Sequence, residues 1–103
     1  MTLRELLEDV AAGLPDLEAV TAPDGGVIWS RAGIPFAALS AGGAAAEFAL
    51  DPVVGAAASR TPDVAPSPRG AGWVILRPAV LDDHALDRAR AWFVSAHRRI
   101  ARA

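Results

Sequence analysis

Between Leu17 and Leu50 the chain never runs more than seven residues without a turn signal. Apolar segments at Leu17–Ala22, Val27–Arg31, Ile34–Leu39 and Ala45–Leu50 are separated by Pro23-Asp24-Gly25-Gly26, Ala32-Gly33 and Ala41-Gly42-Gly43. Segments this short cannot make helices of ordinary length, and glycine-bearing turns return the chain on itself, so the block predicts an antiparallel meander of four strands. Whatever else the chain forms has to pack against that sheet.

The flanks are helical. Thr2 followed by Glu5 is a capping box, and Leu3, Leu6, Leu7, Val10, Ala11 and Leu14 keep one face for three turns until Gly13 and Pro15 end it. Asp51-Pro52 starts a short helix to about Ser59: the carboxylate caps free amides, and proline occupies the first turn, where its missing N–H is not needed. A Pro/Gly run from Thr61 to Gly72 then opens into Trp73 to Arg77, a fifth strand ended by Pro78. Asp82 or Asp83 caps a last helix, in which Leu86, Ala89, Phe93, Ala96 and Ile100 recur at helical spacing. The expected class is α+β, an antiparallel sheet of about five strands with N-terminal, middle and C-terminal helices, forming one domain over residues 1–103.

Composition narrows the chemistry. The 52% hydrophobic content includes 24 alanines, so the core must come from the larger aliphatics with Trp29, Phe36, Phe48, Trp73, Trp92 and Phe93. With no cysteine, disulfides, thiolate metal sites and thiol nucleophiles are excluded. No stretch approaches the roughly 18 apolar residues that span a bilayer, and no basic-then-apolar leader opens the chain, so no membrane association and a cytoplasmic setting are expected. A net charge of −2 disfavours nucleic acid, although residues 1–51 carry −6 and residues 52–103 carry +4.

Read together, Gly13-Leu14-Pro15, Gly33, Phe36-Ala37-Ala38-Leu39, Phe48-Ala49-Leu50-Asp51-Pro52 and Gly72-Trp73-Val74 before a terminal helix resemble the MmcQ/YjbR-like family. The resemblance implies a small α+β domain, and members are often described as DNA-binding because of a double-winged architecture. Ala49 stands where the family often has lysine, and Arg69 with Gly70-Ala71-Gly72 stands where its loop commonly offers His or Lys. A fainter resemblance is to the bacterial luciferase-domain family, which also places a tryptophan-led strand before a terminal helix. Neither resemblance supplies catalytic residues.

Two candidate surfaces remain. Ser67 and Arg69 with the amides of Gly70, Ala71 and Gly72 can form an anion loop walled by Trp73, because glycine lets successive N–H groups point at one ligand. Alternatively these residues only make the tight entry to a strand, with Trp29 and Trp73 serving as core or half-buried sheet residues. Arg88, Arg99 and Arg102 lie opposite the apolar stripe of the last helix and form either a basic surface for phosphate or acidic partners, or a plain solvated face whose charges suit the helix dipole. His84 and His97 are nearly four turns apart and cannot share a metal. No catalytic residue, cofactor or metal is expected. The chain reads as a non-enzymatic binding or interaction module, with a protein partner or homodimer, weak DNA or phosphate binding through Arg69 and the C-terminal arginines, and a small-ligand site beside Trp73 as the readings to separate.

Overall fold

The computed structural model describes residues 1–101. Helix α1 spans Leu3–Ala12, followed by strands β1 (Leu17–Thr21), β2 (Val27–Arg31), β3 (Ile34–Leu39) and β4 (Ala46–Ala49). Helix α2 (Pro52–Ala58), strands β5 (Val64–Pro66) and β6 (Trp73–Leu76) and helix α3 (Asp83–Ala101) complete the order. All neighbouring strands are antiparallel, in the order β1-β2-β3-β4-β6-β5. The α+β class and the four-strand meander are as expected from the sequence.

The sheet has six strands where about five were expected. β5 is the addition, lying inside the Pro/Gly run. Its proline is why the sequence hides it: away from a strand start or a bulge, a residue without an N–H suits a sheet only at an edge, and β5 is an edge strand three residues long.

The helix starts follow local chemistry. Thr2 Oγ1 accepts from the Glu5 N–H at 3.1 Å while Glu5 Oε1 accepts from the Thr2 N–H at 2.9 Å, closing the capping box. Asp51 accepts from the Val53 N–H at 2.9 Å, and Asp82 from that of Ala85 at 2.9 Å.

Helices α1 and α3 pack together on one face of the sheet, α3 across β2, β3 and β4. Under them lie two complete cross-strand rows, Thr21-Val27-Leu39-Ala46-Leu76-Val64 and Ala19-Trp29-Ala37-Phe48-Val74-Pro66. A register shift at Trp29/Ser30 leaves Phe36 as the extra residue of β3. The phenyl ring of Phe36 meets Phe93 of α3 edge-on at 5.2 Å, and Trp29 meets the same ring at 5.3 Å. Trp29, Phe36, Phe48 and Phe93 are the largest fully buried side chains.

Buried His97 anchors the periphery to this core. Its Nε2 donates to the Pro15 carbonyl at 2.7 Å, while its Nδ1 accepts from Arg31 Nη1 at 3.0 Å, which assigns the tautomer by its partners. Arg31 also reaches the His97 carbonyl at 3.2 Å and Asp16 at 3.7 Å. One histidine thus joins the end of β2, helix α3 and the α1–β1 connection.

Candidate functional site

One step along each strand, the side chains point to the face that α1 and α3 leave uncovered. A single row, Val20-Ile28-Ala38-Glu47-Ile75-Ala65, crosses all six strands there. Glu47 is its only charged member, near the middle of the sheet with 19% of its side chain exposed. A carboxylate in that position needs partners.

The Pro/Gly run supplies them. Glu47 Oε1 accepts from Ser67 Oγ at 3.1 Å, and Oε2 pairs with Nε of Arg69. Buried Ser67 also accepts from the Arg69 N–H at 3.1 Å. The guanidinium lies 5.6 Å from the centre of the Trp73 ring, within cation–π range. Ser67, Arg69 and Trp73 therefore lie together, and Arg69 of the predicted anion loop already faces a carboxylate that stands 22 positions earlier in sequence. Sequence inspection passes over Glu47 because a lone acid in an alternating strand reads as ordinary solvent-facing polarity. The available signal is Glu47 itself, a charge at mid-strand with a cationic loop to answer it.

Of the two strand tryptophans, Trp73 is the half-buried sheet residue, packed against the edge of the core. It points away from Val74 and lies beneath Arg69, whereas Trp29 takes the core position. The difference follows from register, since Trp73 is opposite Ala49 and Val74 is opposite Phe48.

Beside Glu47 the open face deepens into a cleft of about 270 Å³, lined by Asp24, Ser40, Glu47, Arg69, Ile75 and Arg77 among others. Ala38 and Ile75 give it an apolar floor. Arg77 makes no side-chain hydrogen bond or ion pair among the described residues. Asp24 Oδ1 accepts from the Gly26 N–H at 2.9 Å, which fixes that carboxylate at the rim. Two guanidiniums and two carboxylates thus share one small cleft.

Gly70 and Gly72 face elsewhere. With Pro66, Ala71 and Trp73 they form one wall of an apolar groove of about 420 Å³, whose other wall is Pro52, Gly55 and Ala56 of α2 with Ser59. Here Gly72 and Gly55 serve packing. Gly72 has φ +83°, and a Cβ on it would lie 2.1 Å from the Leu50 carbonyl oxygen, while a Cβ on Gly55 would lie 2.7 Å from the Gly72 oxygen. The predicted loop therefore divides: Ser67 and Arg69 serve the open-face cleft, Gly70 lies against Trp73 in the groove wall, and Gly72 with Gly55 lets α2 approach the sheet.

The basic surface on α3 does not form as expected. Arg88 is half-buried over Trp92 at 5.7 Å, donating to the Pro62 carbonyl at 3.1 Å, with its Nε buried and unpartnered. Arg99 donates to the carbonyls of Leu50 at 2.8 Å and Ala49 at 3.3 Å, satisfying the end of β4. Opposite the apolar stripe on a helical wheel, both long side chains still bend back to backbone carbonyls at the sheet margin. They are eleven residues apart, roughly 16 Å along the helix, so they do not make one patch. Arg102 lies outside the described residues. Among the described residues, no group of three or more His, Cys, Asp or Glu side chains is placed to hold a metal, and no helix is long and apolar enough to cross a membrane.

No protein-family model, curated protein or solved structure matches this chain.

Proposed function

We propose that this chain is a small, non-enzymatic, cytoplasmic binding module of the MmcQ/YjbR-like type, and that its site is the cleft on the open face of the sheet. The observation that carries the reading is Glu47. It holds Arg69 in a fixed orientation beside Arg77, and a guanidinium positioned before the ligand arrives loses less freedom on binding than a mobile one.

The charge pattern selects among ligands. A polyanion gains from Arg69 and Arg77 but meets Glu47 and Asp24 in the same cleft, and the net charge of −2 gives it no long-range attraction. The engagement of Arg88 and Arg99 by carbonyls further weakens the nucleic-acid reading. A small ligand carrying both an anionic and a cationic group satisfies both signs at once, its carboxylate at Arg77 and its ammonium at Asp24. The apolar floor of Ala38 and Ile75 receives its body.

The test is a thermal-shift screen at low salt with free amino acids, benzoate, inorganic phosphate and duplex DNA as probes. The proposal predicts that zwitterions raise the melting temperature most, since a ligand at 100 times its dissociation constant adds about 2.7 kcal/mol. Arg77→Ala abolishes that shift and leaves the unliganded stability within about 0.5 kcal/mol, as expected for an exposed side chain. Absence of any shift with the amino acids, or duplex binding at low salt that weakens as salt is added, overturns it.

A further inference from the structure

The two edges of the sheet differ in what they offer a neighbour. At β5, the Ser67 N–H donates to the Trp73 carbonyl and the Arg77 N–H to the Asp63 carbonyl, each at 2.9 Å, so Asp63, Ala65 and Ser67 turn their backbone groups toward β6. Val64 and Pro66 face outward, and Pro66 has no N–H to give. That edge is short and guarded.

At the other edge, the Ala22 N–H donates to the Gly26 carbonyl at 2.7 Å, in register with the β1–β2 pairing. Hydrogen-bonded pairs alternate along an antiparallel ladder, so Glu18 and Val20 bond to β2, while Leu17, Ala19 and Thr21 present their N–H and C=O groups outward. β1 holds neither proline nor lysine, and Glu18 to Thr21 are exposed, Val20 at 61%. Glu18 is its only charge, and every outward N–H of the strand is free to donate.

We infer that β1 is a homodimer interface, at which a second copy of this chain adds its own β1 antiparallel across a twofold axis at Ala19. The register follows from hydrogen bonding and charge. Centring on Ala19 pairs Ala19 with Ala19, and Leu17 with Thr21 in both directions, so every outward N–H and C=O of the strand is satisfied. Centring on Glu18 places two carboxylates directly opposite each other, which is destabilising. Centring on Val20 or Leu17 brings Pro23 or Pro15 into the pairing, where a donor is missing. In the Ala19 register Glu18 of each copy faces Val20 of the other, so the only charged residue of the strand meets no like charge. The two open faces then join into one continuous twelve-stranded surface. This inference is independent of the cleft proposed above.

Sedimentation equilibrium over a wide concentration series tests it, with a charge-swap pair to fix the register. The native chain is expected to rise from monomer toward twice its mass. Val20→Lys sets lysine opposite Glu18 twice per dimer and tightens association, whereas Val20→Glu sets like charges opposite and weakens it, each by roughly two- to thirty-fold. Ala19→Pro removes the central outward donor, which the monomer does not use, and is expected to be monomeric with an unchanged circular dichroism spectrum. If Ala19→Pro misfolds, amide exchange in the native chain gives the same answer, with Leu17, Ala19 and Thr21 protected at high concentration and exchanging on dilution. A monomer at all concentrations, or a dimer in which Val20→Lys and Val20→Glu change affinity alike, overturns the inference.

Discussion

The row Ala19-Trp29-Ala37-Phe48-Val74-Pro66 and the row Val20-Ile28-Ala38-Glu47-Ile75-Ala65 are one residue apart along every strand, yet they face opposite chemistry. The first is sealed under the helices over its middle, from Trp29 through Ala37 and Phe48 to Val74, where Phe93 of α3 meets both Trp29 and Phe36 edge-on. The second has no helix of that layer over it, and the charge near its centre is answered by Ser67 and Arg69 from the loop. Stability is concentrated on the helical side, in apolar area removed from water. The open side spends polar contacts on holding an arginine in place, which adds little to folding and, in the proposed function, prepares a surface for a ligand.

Substitutions on each face should keep that contrast. Phe93→Ala removes the ring on which Trp29 and Phe36 both pack, and a loss of about 3–5 kcal/mol is expected by urea denaturation. A loss below about 1 kcal/mol would mean the helical face is not the main source of stability. Glu47→Ala leaves the buried Ser67 hydroxyl without its acceptor and frees Arg69 to solvent; with 39% of the Arg69 side chain already exposed, the expected loss is about 1–2 kcal/mol. The same variant should release the loop, read as faster amide exchange at Ser67 and Arg69. A large loss with no change in exchange would place Glu47 among the core contacts.

The smallest effect belongs to neither face. The Thr2 N–H and hydroxyl hold the Glu5 carboxyl below its ordinary value at the exposed start of α1. A carboxylate shifted downward contributes stability that is present above its unfolded value and lost as pH falls through the folded one. Melting curves of Glu5→Gln and the native chain should therefore differ slightly at neutral pH and converge in acid. A difference that grows on acidification would contradict the capping box.

The sequence makes the covered face legible because its rules are local. Glycine turns set the strand lengths, helical spacing places Leu3, Leu6, Leu7 and Phe93, and Thr2, Asp51 and Asp82 mark the helix starts. The open face depends on pairings between distant positions, which no local pattern encodes. Arg69 is visible as a charge on a glycine-rich loop, but its partner Glu47 belongs to a strand that pairs with β6 only after α2 and β5 have intervened. β5 escapes notice for a related reason, since Pro66 is acceptable as a strand residue only once β6 lies on one side and nothing on the other. Arg88 and Arg99 fail as a surface because a helical wheel carries no knowledge of the carbonyls at Pro62 and Leu50 that draw them in.

The central claim is that the open face, with Glu47 at its middle, is the binding face. An amide-resolved NMR titration with free amino acids tests it most directly, because it reports where a ligand sits as well as whether it binds. The account predicts saturable shifts at Ala38, Glu47, Arg69, Ile75 and Arg77, abolished by Arg77→Ala. Shifts confined to Gly55, Ala56, Gly70, Ala71 and Gly72 along the apolar groove, or no shift at any concentration, would contradict it.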